Sequence, residues 1–288
     1  MKLRRRWIRT LLLIFGFALA IYVVLDSLAF KVPIFGFHSI FDRRTPDELP
    51  SRAPYLDYAV QDLETVLTTL IRGDYWFLDS NDFHDYFLTR SRTIPPARIG
   101  QKPVMLTFDD GYENVRAYVL PLLEKFERQY DIKIPIVLFL NPAFFDKNNP
   151  KRPQKYLTCE GVREGLTAGF YDVQSAGFQH VNLTQLNERD IEFDIAEARQ
   201  KLQECVRGLD HSEDVARHFA YPYNRVNGSI ERLVKQYHES AYRYDDRMQM
   251  LGWTQRPYRI SRLGIQRNDS PQRLLRLARR ASTLPKSF

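Results

Sequence analysis

Two adjacent carboxylates stand within the segment Leu106-Thr107-Phe108-Asp109-Asp110-Gly111-Tyr112, directly after an apolar run. Acids leaving a buried strand side by side repel each other, and without a cation one is driven toward protonation. A divalent ion on one of them relieves the repulsion and leaves the other free as a base. Metal-assisted hydrolysis is the chemistry open to such a pair, and Gly111 permits the tight turn behind it. The plainer alternative is a pair that caps a following helix. Further reactive or aromatic groups follow other short apolar runs: His38, Asn141, the segment from Ser175 to His180, and Tyr221-Pro222-Tyr223. Taken singly, His38 and His180 read as ordinary loop histidines, and His84, His211, His218 and His238 as structural or surface residues. Together with Asp109 and Asp110, His180 reads as functional.

The elements that must position these groups alternate short apolar runs with longer segments of helical period, the pattern of a parallel sheet wrapped by helices. Candidate strands are 32–37, 104–108, 134–140, 171–174, 218–221 and 259–265. Between them, 57–71 carries an apolar face at Val60, Leu63, Leu67, Leu70 and Ile71, and Pro121 opens a second helix. Asn187 with Asp190 caps a third helix running to Val206, and residues 89–102 read as a loop. A last helix over 270–284, capped by Ser270-Pro271, places Leu274, Leu277, Ala278 and Ala281 on one face and Arg273, Arg276 and Arg280 on the other. It reads as a terminal helix covering the domain with solvated arginines. Docking of that basic face on anionic lipid or glycan is the functional alternative. In such α/β folds the reactive groups all fall at the carboxyl ends of strands, where loops converge.

The 288 residues, 44% of them hydrophobic, suffice for one sizeable core. The net charge of +7 is uneven: residues 1–9 carry +5 and residues 256–288 carry +8, so the body between them is −6. A mildly acidic body excludes a nucleic-acid groove, whose bases are interleaved with the fold. The basic start precedes an apolar run over residues 11–25, closed by Asp26. Fifteen residues rise about 22 Å as a helix, against roughly 30 Å of hydrocarbon, although Trp7, Ile8 and residues 28–30 extend it. An uncleaved signal anchor is the reading adopted; a signal peptide cleaved after Ser27-Leu28-Ala29 is the alternative. Either delivers the chain beyond residue 30 to the extracytoplasmic side. Cys159 and Cys205 could pair in that compartment. Cys205 continues the stripe Ile191, Ile195, Ala198 and Leu202, so a buried structural thiol is expected there instead.

Over roughly residues 32–269 the chain resembles the polysaccharide deacetylase family, also called the NodB-homology domain or carbohydrate esterase family 4. Thr107-Phe108-Asp109-Asp110-Gly111 is similar to that family's first motif, which implies Asp109 as catalytic base and Asp110 as metal ligand. Phe37-His38-Ser39 resembles the Tyr-His segment of the extracellular-polysaccharide branch. Residues 157–169 and Asp172-Val173-Gln174-Ser175 look like the helix and strand leading to the second motif. Ala220-Tyr221-Pro222-Tyr223-Asn224 resembles the third, whose backbone N–H at the position of Tyr223 helps hold the oxyanion; Asn224 replaces the usual glycine and tolerates left-handed backbone.

Two departures stand out. The second motif is ordinarily His-x-x-x-His, both histidines binding metal, and here reads Ala176-Gly177-Phe178-Gln179-His180, with Ser175, Gln179 or His38 left to complete a ligand set. No histidine follows His238, so the late motif that supplies a general acid in many relatives is not recognisable near residues 259–265. His38, or the protonated Asp109, is the acid that remains. The resemblance implies a distorted or incomplete (β/α) barrel behind one transmembrane or signal helix. Residues 1–30 would form the basic segment and anchor, and residues 31–288 the catalytic domain. The implied activity is metal-dependent removal of acetyl groups from N-acetylated sugars of an envelope or extracellular polysaccharide, with Asp110 and His180 holding zinc or another divalent ion and Asp109, Tyr223 and His38 acting on the substrate. A catalytically eroded barrel that binds glycan or serves assembly is the alternative, and Ala176 is its reason.

Overall fold

The computed structural model describes residues 14–17, 29–45, 53–145, 156–209, 211–252 and 256–285. The basic amino-terminal cluster and most of the expected anchor lie outside these residues. Among the described residues no helix is long and apolar enough to cross a membrane.

Strands are β1 Phe30–Val32, β2 Ile34–Phe37, β3 Ser39–Phe41, β4 Asp57–Ala59, β5 Tyr75–Leu78, β6 Lys102–Asp109, β7 Ile136–Leu140, β8 Tyr171–Ser175, β9 His218–Ala220, β10 Ser240–Tyr244, β11 Gln249–Leu251 and β12 Ile260–Gly264. The longer helices are α1 Val60–Arg72, α2 Leu120–Tyr130, α3 Cys159–Thr167, α4 Glu188–Val206, α5 Gly228–Tyr237 and α6 Pro271–Arg279. Parallel pairing runs β2-β12-β10-β9-β8-β7-β6, and β2 also pairs with β6, so seven strands close a barrel while β5 adds to the early half of β6. The expected (β/α) architecture is thus present with one strand fewer than the eight of a complete barrel.

Side-chain alternation decides what faces inward. Along β6, Val104, Leu106 and Phe108 pack under the helices, whereas Met105 joins the interior cluster, so Thr107 and Asp109 share the inward row. Strand β7 sends Val137 and Phe139 inward, and β12 sends Ile260 inward but Leu263 outward, which aims Arg262 into the barrel as well. Trp76, Leu78, Phe83 and Phe87 meet Val32, Ile34 and Ile260 near the strand starts and plug that end with aromatics. The opposite, carboxyl end stays open to polar groups.

Caps formed where the sequence supplied them: Asn187 accepts from Asp190 N–H at 3.0 Å and Ser270 from Arg273 N–H at 3.3 Å, while Pro121 lies in the first turn of α2. Three expectations change. Residues 57–59 pair with β3 as a short strand, so the first helix starts at Val60. The last helix ends at Arg279, because beyond it Ala281 and Leu284 are buried and Leu284 exchanges backbone hydrogen bonds with Gly100 and Gln101. Cys205 is not a free buried thiol. The buried stripe of α4 continues from Leu202 to Val206, leaving Cys205 half-buried beside α3, where it forms a disulfide with Cys159 across 5.6 Å between Cα atoms.

Candidate active site

The carboxyl ends of the strands enclose a cavity of about 430 Å³ lined by His38, Asp109, Asp110, His180 and Tyr223, with Ala176, Tyr244 and Tyr55 among its other walls. These five residues, each singled out in the sequence, therefore face one space, although they come from four separate segments of the chain.

Asp109, the last residue of β6, is buried and held by Arg262 through two parallel bonds, Nη1 to Oδ1 at 2.6 Å and Nη2 to Oδ2 at 2.8 Å. Such a fork fixes the carboxylate plane and leaves each oxygen further lone-pair capacity toward the cavity. Arg262 Nη1 also donates to Thr107 Oγ1 at 3.1 Å, and the guanidinium lies 4.1 Å over the Tyr244 ring. Tyr244 fits only because residue 36 is glycine: a Cβ there would overlap its ring. Burial pushes the Tyr244 phenol well above its ordinary pKa, so this packing partner stays neutral. Arg262 occupies the strand in which a late-motif histidine was sought. The readable sign was a single arginine on the inward-facing parity of the strand, two residues after Ile260.

Asp110 turns away from the sheet with φ 69°, followed by Gly111 at φ 74°. Its Oδ1 lies 3.2 Å from His180 Nε2. His180, at φ 52°, ends a loop fixed from three directions. Asp194 of α4 accepts from Phe178 N–H at 2.9 Å and Gln179 N–H at 3.0 Å, Asn141 Nδ2 donates to the carbonyls of Ala176 and Gly177, and Ala143 N–H donates to Phe178 O. Burial pushes the Asp194 carboxyl upward, partly opposed by those two amides and by His180. Tyr223 at φ 53° and Asn224 at φ 57° complete the wall, the Tyr223 ring lying 4.5 Å from that of His180. The side-chain amide of Asn224 pairs with the backbone of Tyr244 in both directions. Four non-glycine residues in left-handed backbone around one cavity are costly, and strain of this kind persists where surrounding contacts over-determine it.

His38 stacks on Tyr244 with ring centroids 5.7 Å apart, and its Nδ1 is buried without a hydrogen-bond partner. Ala176 is buried against apolar neighbours. Among the described residues no group of three or more His, Cys, Asp or Glu side chains is placed to hold a metal. The donors present, a carboxylate and an imidazole converging on one point of the cavity wall, fit a divalent ion through two protein ligands, with its other positions left to water or substrate oxygen. A zinc site with three protein ligands is short by the imidazole that Ala176 lacks.

The sequence pattern of the family described as polysaccharide deacetylase matches residues 97–241, half of the chain. No curated protein matches the chain in sequence. Among solved structures, a polysaccharide deacetylase from Bacillus cereus shares 17% identity at a TM-score of 0.70, covering 87% of this chain and 69% of that one. The deacetylase PplD from Streptococcus pyogenes, solved in complex with acetate, shares 16% at 0.68, covering 86% and 98%. IcaB from Ammonifex degensii shares 20% at 0.66, covering 86% and 97%. At these identities the likeness speaks for the fold, whereas the motif match carries the classification: the chain belongs to the polysaccharide deacetylase family of hydrolases, which act on non-peptide carbon–nitrogen bonds.

Proposed function

We propose that the chain removes acetyl groups from N-acetylated sugars of an envelope or extracellular polysaccharide, on the extracytoplasmic side of a membrane that its amino-terminal segment engages. One observation carries the reading: Asp109, Asp110, His180, Tyr223 and His38 line a single cavity at the open end of the barrel. Export is supported by the basic-then-apolar start of the sequence and by the Cys159–Cys205 bridge, which suits an oxidising compartment. The acetate found with the Streptococcus pyogenes neighbour suits a product of this class.

Asp110 and His180 would hold a divalent ion, zinc first among ions that take mixed oxygen and nitrogen donors. When bound, such an ion supplies Lewis acidity to the acetyl carbonyl and to a neighbouring water. Asp109, oriented by Arg262, takes a proton from that water as its oxygen bonds to the carbonyl carbon. The Tyr223 N–H donates to the carbonyl oxygen as negative charge grows there. Cleavage of the C–N bond requires a proton on the sugar nitrogen, which His38 donates or Asp109 returns, releasing acetate and a free amine.

The test is acetate release by the full chain from N-acetylglucosamine oligomers, with metal content measured in parallel. Release that falls about a hundredfold or more in Asp109→Asn, with stoichiometric ion lost in Asp110→Ala, is expected. No acetate from any N-acetylated glycan and no bound ion under zinc or cobalt saturation would favour the second reading, a glycan-binding barrel, for which Ala176 speaks.

A further inference from the structure

Among the described residues only two tyrosines are exposed, Tyr55 at 64% and Tyr223 at 57%, and both line the mouth of the same cavity. The Tyr223 ring is already engaged with His180. Tyr55 has no part in the proposed chemistry and lies before residue 97, outside the matched family pattern. It sits in the short turn Pro54–Leu56, whose leading proline restricts the backbone. The loop after β12 ties this turn down. Arg267 N–H donates to Tyr55 O at 2.8 Å, and its guanidinium reaches Pro54 O and Asp57 Oδ2 at 3.3 Å each while lying 4.3 Å over the Phe41 ring.

The main chain at Tyr55 is therefore anchored, and its ring is presented to the cavity mouth with most of its surface bare. A large aromatic in that state offers a rigid, amphipathic surface at low entropic cost. The apolar C–H face of a pyranose ring is complementary to it. The depression also extends beyond the first cavity. A second cavity of about 580 Å³ shares His180 and Tyr223 with the first and continues to Asn182, Gln185 and Arg225, so the opening runs from Tyr55 across the site to Arg225.

We propose that Tyr55 is a stacking platform for a pyranose ring of the polymer, holding the chain across the mouth so that one acetamido group reaches Asp109; this rests on the glycan reading above. The test is titration calorimetry of an N-acetylglucosamine pentasaccharide into the full chain under chelator, with aryl acetate hydrolysis measured separately. Tyr55→Ala should weaken pentasaccharide binding about five- to tenfold, as expected for loss of one stacked ring, and leave the aryl acetate rate within about twofold. Tyr55→Phe and Tyr55→Trp should bind within about twofold of the unmodified chain. Equal binding by Tyr55→Ala, equal weakness of all three variants, or no binding by the unmodified chain overturns the platform. Binding that depends on Tyr55 without any acetate release under metal overturns the hydrolysis and leaves the platform standing.

Discussion

Replacing Arg262 by methionine keeps much of the length of the side chain and removes its charge, so it isolates the pairing of β12 with β6. Arg262 is 1% exposed and Asp109 7%, with both carboxylate oxygens engaged. Removing one partner of such a buried pair strands the other charge, which costs about 3–5 kcal/mol. For domains of this order each kcal/mol moves Tm by about 2–4 °C, so a fall of roughly 6–20 °C is expected. Asp109→Asn strands the guanidinium instead, because Thr107, Tyr244 and Phe139 still hold it in place. The double variant relieves both defects and should be more stable than the sum of the single losses by about 2 kcal/mol or more. Calorimetry of the four proteins at neutral pH measures this coupling. Strict additivity, or a loss below about 1 kcal/mol for Arg262→Met, would refute the claim that this fork organises the site.

Three further outcomes are expected. Ala176→His should supply the missing imidazole and tighten zinc binding tenfold or more, since even outer-shell changes move metal affinity by about 10–100-fold; titration calorimetry with zinc reads it, and unchanged affinity would place residue 176 outside the ligand sphere. Reducing the Cys159–Cys205 bridge, which spans 46 residues, should cost about 4 kcal/mol of stability, seen as a lower Tm in dithiothreitol that the Cys159→Ala/Cys205→Ala variant reproduces without reductant. Burial first and Asp79 second push the Asp172 carboxyl up to about 7, well above the value of about 3.9 in an unfolded chain. A raised carboxyl favours the folded state below about pH 4, and that contribution is lost as pH rises toward 7. Tm should fall between pH 5 and 8, and Asp172→Asn should flatten the fall.

Some of this was readable one strand at a time. Asp109 and Asp110 stood out because two acids directly after an apolar run are costly without a cation, and His180 because it kept its spacing after a short strand. Six of the barrel's strands were visible as apolar runs. β10 was not, because Ser240, Arg243 and Tyr244 break the run, and β5 was not, because Tyr75–Leu78 follows α1 after a two-residue turn. Arg262 was legible only as an inward-facing charge, and its role was hidden for a different cause. Its meaning resides in a partner 153 residues away, brought opposite only when β2 pairs with both β6 and β12 and closes the barrel. The disulfide has the same character: helical period described one face of α4 and said nothing of the neighbour on its flank.

The arrangement also bears on why the loss of one histidine need not dissolve the site. Asp110 does not depend on residue 176 for its aim. Its left-handed backbone is set by the turn into Gly111, where an added Cβ would stand 2.8 Å from Leu140. His180 is aimed by Asp194 and Asn141 through the main chain of residues 176–179, contacts indifferent to the side chain at 176. Asp109 is held from the opposite wall by Arg262. The proposed base and the two proposed ligands are thus positioned by three independent supports, so a methyl group in place of an imidazole at residue 176 withholds one donor and leaves the geometry of the others in place. Erosion of metal affinity and erosion of the catalytic frame are then separable, and Asp194→Ala, which unpairs two backbone amides beside His180 while leaving Asp109 and Arg262 untouched, should damage the first and spare the second.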